Sequence, residues 1–310
     1  MPIGRHVSKL SGYAPALPTP FDSDGRVDVT AFERLCALQV SEGATALVVC
    51  SATAENWTLQ QEERRVLLSV AVSCARGIPV IMDATSNATA HAIELAAIAE
   101  QGRADAIVSA VPYYNRPTQD GIFVHFRSLA SATELPIIIS DNPSRSVSRL
   151  TDETVARLAT IPRFIGLEDA TGDPSRPLRL RRAVGDRFRL LCGDDALALP
   201  YLVNGGDGCI SVTSNIAPGL CRDLFLAVRQ GQLARAQRLA APVSRLSAAL
   251  ALEISPVPLK YALELLGLAA ATVRLPLVDA SASTKAELEA IIRKTGDRYP
   301  VSLIAASRFG

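Results

Sequence analysis

The sequence predicts an α/β fold, a (β/α)8 TIM barrel with a C-terminal helical extension, from three observations. Eight short, continuous apolar segments recur over about 200 residues, as expected for parallel strands covered on both faces. Helical segments with apolar residues at 3.6-residue spacing separate them. The segment after the first strand reads PALPTPFDSDG, which lacks the GxGxxG turn typical of a doubly wound open sheet. The 310 residues suffice for one large barrel.

The eight predicted strands share runs of β-branched and other apolar residues. In chain order they are residues 13–18, 46–51, 79–84, 106–111, 136–140, 164–168, 188–193 and 209–213. We expect the sixth to keep its phase, so that Gly166 and Glu168 face one side while Ile165 and Leu167 face the other.

Capping signals mark the helices between the strands. Thr30 and Thr58 each precede a Glu or Gln by three residues, Glu33 and Gln61, which is the spacing of a capping box. We therefore expect these threonines to begin the first two helices. Thr151 is expected to begin the helix that leads to the sixth strand.

Helical patterns continue beyond the last strand, over residues 233–252, 256–267 and 284–296. We expect a barrel core over residues 1–218. Residues 219–310 then hold the last barrel helix and a C-terminal helical region, and the whole forms one structural unit.

The composition excludes several classes of partner. With 32 basic and 31 acidic residues, the net charge of +1 gives no electrostatic basis for binding nucleic acid or an anionic membrane. No apolar run approaches the roughly 20 residues of a membrane span. The first residues, MPIGRHVSKL, lack the apolar region of a secretory signal. We therefore expect a cytoplasmic protein without nucleic-acid or membrane partners.

The cysteines and histidines give no support for a metal site. None of the six cysteines forms a CxxC pair, and most lie in apolar segments, which indicates reduced, buried thiols. The three histidines are far apart in the sequence, without HExxH-type spacing. No metal ligand and no cofactor is predicted.

In a (β/α)8 barrel the functional site lies at the C-terminal ends of the strands. Carboxylates at the end of a buried strand are costly unless they are paired or used, which draws attention to FIGLEDATGD and its Glu168. The polar residues predicted at these strand ends are Thr19, Ser51, Thr53, Glu55, Asp83, Tyr113, Tyr114, Ser140, Asp141, Arg145, Glu168, Asp169, Asp194, Asp195 and Thr213.

Several segments carry a resemblance to one family. They are PALPTPFDSDGRVD, TLQQEER, VPYYNRPTQDGIFVHF, NPSR, ATGD, LLCGDDALALPYLVNGGDGCISVTSN and SPVPLKYALELLG. In this order and at this spacing, the chain resembles the dihydrodipicolinate synthase / N-acetylneuraminate lyase family over nearly its whole length. The resemblance implies a barrel with C-terminal helices, a lyase-type activity on a small 2-oxo acid or related carboxylate, and a homo-oligomer, either a dimer or a tetramer.

The resemblance fails at the residue that performs the family's chemistry. In that family a lysine at the end of the sixth strand forms a Schiff base with pyruvate or a related 2-oxo acid. The family motif reads G-I-K-[DE]-[AS]-[ST]-G, whereas this chain reads GLEDATG, which puts Glu168 at the lysine position. Of the four lysines, only Lys260 is a plausible replacement, and we expect it to be structural.

Two further positions depart from the family. Ser140 stands where a tyrosine usually precedes N-x-P, and Ala52 replaces one of two hydroxyl residues after the second strand. Thr53 keeps the other hydroxyl, and Tyr114 matches the tyrosine that reaches into a neighbouring subunit's site. The resemblance thus implies catalytic positions at Glu168, Thr53 and Tyr114. It implies substrate-binding positions at Ser51, Ser140, Asp141, Arg145, Gly193, Asp194 and Ile210.

A glutamate cannot form an imine, so three roles remain open for Glu168. It acts as a general acid or base with a raised pKa, it binds an amine or hydroxyl group of a ligand, or it pairs with an arginine or is hydrogen-bonded and has no catalytic role. The first leads to a lyase-type enzyme without a Schiff base. The last leads to an inactive family member that binds a metabolite or partner.

The other strand-end residues also have structural interpretations. Asp169 is expected to face the neighbouring helices or to cap the next one, and Asp194 and Asp195 resemble N-cap carboxylates. Tyr113 is expected to be an interface aromatic, and Trp57 fills space beside the altered SATAE loop, either over the pocket or in packing.

Overall fold

The computed structural model describes residues 10–296 and contains a barrel of eight parallel strands. Neighbouring strands follow the order β1-β8-β7-β6-β5-β4-β3-β2. A parallel bridge between Ala16 and Val48, with a hydrogen bond of 2.9 Å from the Leu17 N–H to the Val48 carbonyl, brings β1 and β2 together. The strands are β1 Gly12–Pro15, β2 Leu47–Val49, β3 Val80–Asp83, β4 Ala106–Ala110, β5 Ile137–Asp141, β6 Phe164–Asp169, β7 Arg189–Cys192 and β8 Gly208–Ser211.

All eight predicted strands are confirmed, although most are shorter than the apolar runs that predicted them. The second run covers residues 46–51, but β2 ends at Val49 because Cys50 adopts the left-handed conformation with a φ of 58°. Apolar residues therefore continue past the end of the hydrogen-bonded strand into the loop that leads to the next helix.

Helices lie between the strands and continue after the last one. They are α1 Val29–Ser41, α2 Gln61–Cys74, α3 Thr89–Gln101, α4 Gln119–Ala132, α5 Pro143–Ser146, α6 Asp152–Ala159, α7 Arg176–Val184, α8 Ala198–Val203, α9 Pro218–Arg229, α10 Leu233–Leu250, α11 Val257–Leu265 and α12 Ala282–Gly296. The three predicted C-terminal helices are confirmed as α10, α11 and α12. None of the helices within residues 10–296 is long and apolar enough to cross a membrane.

The cap of α6 is as predicted, and those of α1 and α2 are not. The Thr151 hydroxyl accepts a hydrogen bond from the Thr154 N–H at 3.2 Å. Helix α1 is instead capped by Asp28, a stronger acceptor two residues before Thr30, which accepts from the Ala31 N–H. Helix α2 is capped by Gln60, two residues after the expected Thr58.

Helix α2 does have a capping box, but it lies two residues after the predicted capping box. Gln60 and Glu63 form the capping box, and the Gln60 N–H donates to the Glu63 carboxylate at 2.9 Å. The Thr58 hydroxyl instead donates to the Glu55 carbonyl, which closes the turn that precedes the helix. Local hydrogen bonding in that turn thus moves the start of the helix.

Strand alternation separates two apolar cores. The smaller fills the barrel interior with side chains such as Ala14, Ile81, Ile138 and Ile210, and the larger lies between the strands and the helices. In β6, Leu167 packs outward, as predicted. The prediction for Ile165 is wrong, because the β5–β6 register shifts at this point and Ile165 packs against the interior core.

Candidate active site

Two inward-facing side chains meet where β5 and β6 end. Ser140 and Glu168 are register partners on these neighbouring strands, and they continue the inward face of Ile138 and Gly166. The Ser140 hydroxyl donates a hydrogen bond to the Glu168 carboxylate. The sixth-strand glutamate therefore lies inside the barrel mouth, with a neutral donor beside it.

Gly193, directly after β7, gives the Glu168 side chain its space. A Cβ atom at this position would lie 3.1 Å from the Glu168 Cγ and 3.0 Å from the Ala170 Cβ. Real Cβ atoms seldom approach neighbours so closely, so a larger residue here would displace the glutamate. Gly193 therefore lies directly against the Glu168 side chain.

A second carboxyl group, Asp83 at the end of β3, faces the same interior. It follows the inward-facing Ile81 by two residues, and it is 7 % exposed. Its carboxylate accepts from the Thr85 N–H at 2.6 Å and from the Thr85 hydroxyl and the Asn56 amide. Because the Thr85 hydroxyl oxygen accepts from the Ala110 N–H, its proton is free to point at Asp83.

Asp83 is one of the polar residues predicted at the strand ends, without an assigned role. The signal that could have found it is the two-residue spacing from Ile81, which puts a carboxyl group inside the barrel. Its relation to Glu168 depends on two strands that are 85 residues apart in the chain, and no local pattern conveys this.

Both carboxyl groups keep their protons to unusually high pH. Burial raises the pKa of Glu168 to about 7; the Ser140 hydrogen bond opposes this rise, and the charges of Asp83 and Asp169 add to it. Burial also raises the pKa of Asp83 to about 6, against the hydrogen bonds from Thr85 and Asn56 and the charge of Arg64. Within residues 10–296 neither carboxylate takes part in an ion pair.

The loop after β2 holds the remaining polar groups on this side of the mouth. Ser51 precedes a single 3₁₀ turn, Ala52–Ala54, in which Thr53 is buried. The Ser51 Oγ is buried and has no hydrogen-bond partner within the described part of the chain. Arg64, which is 6 % exposed, donates through Nη2 to the Asn56 carbonyl, while its Nη1 is buried without such a partner.

Asp141 and Asp169 face outward, away from Glu168. Both accept from the Arg176 Nη1, at 2.7 Å and 3.4 Å respectively, and Arg176 is fully buried. Asp169 also accepts from the Thr171 N–H. The expectation that Asp169 faces the neighbouring helices is confirmed, since Arg176 is the first residue of α7.

Asp141 does not lie where the substrate-binding expectation would have it. Its carboxylate is engaged by Arg176 and by the Leu150 N–H on the outer side of β5. The physical reason is strand alternation: residues 140 and 141 point to opposite faces, so only Ser140 can face the interior. Asp141 therefore anchors α7 to the barrel.

The other predicted site residues are spread around the mouth. Tyr114 is 86 % exposed and adopts a φ of 71°, so its ring extends into solvent rather than towards Glu168. Arg145 is exposed, and its Nη2 donates to the Ser255 carbonyl at 3.1 Å. Ile210 is buried in the interior core. Tyr113 and Trp57 are also exposed.

The two adjacent aspartates after β7 have different contacts. Asp194 caps the 3₁₀ helix Asp195–Leu197 by accepting from the Ala196 N–H at 2.9 Å, as predicted. Asp195 is not a cap, because its carboxylate accepts from the Val212 and Thr213 N–H groups and so ties β7 to the turn after β8.

Lys260 is occupied by structural contacts. Its Nζ lies 2.5 Å from the Glu55 Oε1, donates to the Thr272 carbonyl at 2.7 Å and sits 4.0 Å from the centre of the Phe21 ring. Burial lowers the pKa of Lys260 to about 8, and the charge of Glu55 opposes this change. Lys9 lies outside the described residues.

Comparison with known proteins identifies one family throughout. Residues 9–295 match the dihydrodipicolinate synthetase family. The chain is 43% identical over 282 residues to a 4-hydroxy-tetrahydrodipicolinate synthase from Rhodospirillum centenum, which covers 91% of this chain and 97% of that protein.

Solved structures agree with the sequence match. The structure of the 4-hydroxy-tetrahydrodipicolinate synthase from Methylacidiphilum fumariolicum superposes with a TM-score of 0.91 at 34% identity, over 93% of this chain and 97% of that one. A dihydrodipicolinate synthase from Acinetobacter baumannii, described as complexed with pyruvate, gives 0.90 at 34% identity, over 93% and 99% of the two chains.

Proposed function

The chain belongs to the dihydrodipicolinate synthetase family, and from this premise we propose that it is a lyase-type enzyme acting on a small 2-oxo acid or related carboxylate without a Schiff base. It acts in the cytoplasm as a homodimer or homotetramer and uses no cofactor. By resemblance Glu168 occupies the position of the imine-forming lysine, and a carboxyl group cannot condense with a ketone. The contacts of Lys260 with Glu55 and Thr272 support a structural role for the one lysine considered as a replacement.

One observation supports the proposal most strongly: Glu168 is a half-buried carboxyl group inside the barrel mouth, hydrogen-bonded to the neutral Ser140, and desolvation raises its pKa to about 7. A general acid or base works best when its pKa lies near the pH at which the enzyme acts. Burial and neighbouring negative charge are the means by which known enzymes tune carboxyl groups to this range.

The proposed reaction begins with proton transfer at the ligand. Glu168 takes a proton from the carbon next to the carbonyl group, or returns one to it, while Ser140 orients its carboxylate. Thr53 and Ser51 supply hydroxyl groups, and Arg145 meets the carboxylate of the incoming substrate at the mouth. Tyr114 acts in the site of a neighbouring subunit, in keeping with its exposed ring. Gly193, Asp194 and Ile210 shape the pocket.

A second candidate is a catalytically inactive family member that binds a metabolite or another protein. Within residues 10–296 neither Asp83 nor Glu168 has an ion-pair partner, and this favours the inactive protein. When both carboxyl groups are ionised, their charges oppose the entry of an anionic substrate. Such a protein would bind a ligand without turnover.

Hydrogen–deuterium exchange separates the two candidates. The protein is incubated with pyruvate and other 2-oxo acids in deuterium oxide, and loss of the protons next to the carbonyl is followed by proton NMR. We expect exchange with the wild type and none above background with Glu168→Gln. Asp173→Asn, at a partly exposed aspartate that pairs with Arg179, serves as the control that keeps the wild-type rate. Equal rates for the wild type and Glu168→Gln would refute the proposed role of Glu168.

A further inference from the structure

A buried cation lies behind the strand ends that carry Ser140 and Glu168. Arg176, the first residue of α7, is fully buried on the outer side of β5 and β6. We propose that Arg176 is a positioning residue: it ties the ends of these two strands to one rigid group and so fixes Ser140 and the Glu168 carboxyl group relative to each other. This inference rests on the proposed function, in which Glu168 transfers a proton.

The Arg176 guanidinium joins the last residues of β5 and β6, an arrangement we call the Arg176 bridge. Its Nη1 donates to Asp141 at 2.7 Å and to Asp169 at 3.4 Å, and these two aspartates are register partners on the neighbouring strands. Ser140 and Glu168 are the register partners directly before them, and they point to the opposite face. The guanidinium therefore acts on the backbone one residue away from the pair in the barrel mouth.

Both aspartates need this cation because they are desolvated. The side chain of Asp141 is 0 % exposed and that of Asp169 is 1 % exposed. Two ionised carboxylates side by side in a low-dielectric environment repel each other, and a shared cation replaces this repulsion with attraction to one central group. The bridge thus holds Asp141 and Asp169 at a fixed separation, and with them the backbone that carries Ser140 and Glu168.

Arg176 can fix the strand ends because further contacts set its own position. Its Nε donates to Asp152, the first residue of α6, at 2.9 Å, and its Nη2 donates to the Leu150 carbonyl at 3.0 Å. The guanidinium is planar and its N–H groups have fixed directions, so these two contacts aim Nη1 at both aspartates of the bridge. A lysine keeps the charge, but its single nitrogen has three donors and cannot serve all four acceptors.

A small displacement of these strand ends matters to the proposed reaction. Ser140 donates to the Glu168 carboxylate, and the absence of a side chain at Gly193 leaves room for the rest of Glu168. A carboxyl group held in this way meets the ligand's proton at a defined distance, and a misplacement of about 1 Å can cost about 100-fold in rate. Loss of the Arg176 bridge should therefore slow proton transfer, although no group that touches the ligand is removed.

The test compares two arginines of the same helix. Arg176→Lys keeps a cation behind the strand ends but loses the bridge. Arg181→Lys is the matched control, because Arg181 pairs with Asp207 at 2.6 Å, directly before β8 and so at the opposite end of the barrel. Each variant is studied under conditions in which circular dichroism shows it to be fully folded, so that a loss of stability alone changes neither readout.

The first readout is the rate of deuterium exchange into pyruvate and other 2-oxo acids, measured as their concentration is varied. We expect Arg176→Lys to lower the maximal rate about 10–100-fold while the half-saturating concentration stays near that of the wild type. Arg181→Lys should change neither value.

The second readout is the titration midpoint of Glu168. It is followed by the carbon-13 signal of the carboxyl carbon, which is assigned by its loss in Glu168→Gln. The midpoint should lie near 7 in the wild type and rise by about one pH unit in Arg176→Lys, because a carboxylate that loses the hydrogen bond from Ser140 takes up a proton more readily. Arg181→Lys should keep the wild-type midpoint.

An unchanged midpoint in folded Arg176→Lys would overturn the inference, and so would equal changes in Arg181→Lys. In a wild type that exchanges, an unchanged maximal rate in Arg176→Lys would equally overturn it. If Arg176→Lys does not fold, Asp141→Ala takes its place: it frees the end of β5 from the bridge and leaves Arg176 paired with Asp152 and Asp169. The same fall in rate and rise in midpoint are expected, and wild-type values would overturn the inference.

The midpoint does not depend on turnover. A raised midpoint in Arg176→Lys of a protein that shows no hydrogen exchange would retain the role of Arg176 while refuting the proposed enzyme. An unchanged midpoint together with exchange that depends on Glu168 would retain the enzyme and refute the role of Arg176.

Discussion

Replacing Glu168 by Gln should stabilise the protein, and this gain over the wild type should grow as the pH rises. The folded-state pKa of Glu168 is raised from its ordinary value of 4.5 to about 7, so the folded protein binds a proton that the unfolded chain has already released. The wild type therefore loses stability as the pH rises from about 4.5 to about 7, and the penalty is complete above that range. Glutamine is nearly isosteric and carries no charge, so it avoids this penalty.

The magnitude follows from the pKa. Each pKa unit corresponds to about 1.4 kcal/mol, so the rise from 4.5 to about 7 gives Glu168→Gln a gain of about 3 kcal/mol in the free energy of unfolding at alkaline pH. At about pH 4.5 the gain should nearly vanish, since Glu168 is then protonated in the folded state. A gain in stability that accompanies a loss of activity is typical of a residue kept for function.

Urea denaturation followed by circular dichroism, at several values between about pH 4.5 and about pH 8.5, measures this difference. Asp173→Asn is the control. Its carboxyl group is partly exposed, and hydrogen bonds from Ser175 and Arg179 lower its pKa to about 2. Its contribution to stability is therefore already complete above the ordinary aspartate pKa and stays flat over the same range. A difference between Glu168→Gln and the wild type that does not grow with pH would refute the raised pKa of Glu168.

Three further substitutions test the surroundings of the site. Gly193→Ala places a Cβ 3.1 Å from the Glu168 Cγ and should lower the free energy of unfolding by about 1–3 kcal/mol through overpacking, measured by urea denaturation. We also expect weaker ligand binding in calorimetry. Wild-type values for both would contradict the close contact. Lys260→Met leaves the buried Glu55 without its ion-pair partner and should lower the free energy of unfolding by about 3–5 kcal/mol. Adding Glu55→Gln should recover part of this stability. An unchanged stability in Lys260→Met would contradict the ion pair. Arg176→Met leaves the buried Asp141 and Asp169 without their ion-pair partner and should lower the free energy of unfolding by about 3–5 kcal/mol. The loss of stability should shrink as the pH falls and the two carboxylates take up protons. A loss of stability that does not depend on pH would contradict this.

The strands and the later helices could be predicted because their signals are local. Each strand is a continuous apolar run, and the Thr151 cap depends on one side chain and the following backbone. The caps expected at Thr30 and Thr58 were wrong because other acceptors compete nearby. Asp28 offers a charged oxygen, and a turn at Glu55 engages the Thr58 hydroxyl.

The site was predicted only in part, for reasons of geometry. Ser140 and Glu168 follow from strand alternation, and the same alternation could have removed Asp141 from the pocket. To predict that Asp83 faces Glu168's side of the interior, one must know which strands line the barrel and how few charges neutralise Asp83 there. The bulge at Ile165 arises from the register between two strands, and the pattern of a single strand does not contain it.

Reductive trapping shows whether this family member works without a Schiff base. The protein is incubated with pyruvate and other 2-oxo acids, reduced with borohydride, and its intact mass is read alongside that of the Glu168→Lys variant. We predict no adduct on the wild type and an adduct on the variant, whose lysine would occupy the sixth-strand position. An adduct on the wild type, mapped by peptide analysis to Lys260 or another lysine, would show that a lysine still forms the imine and would refute the proposed Schiff-base-free chemistry.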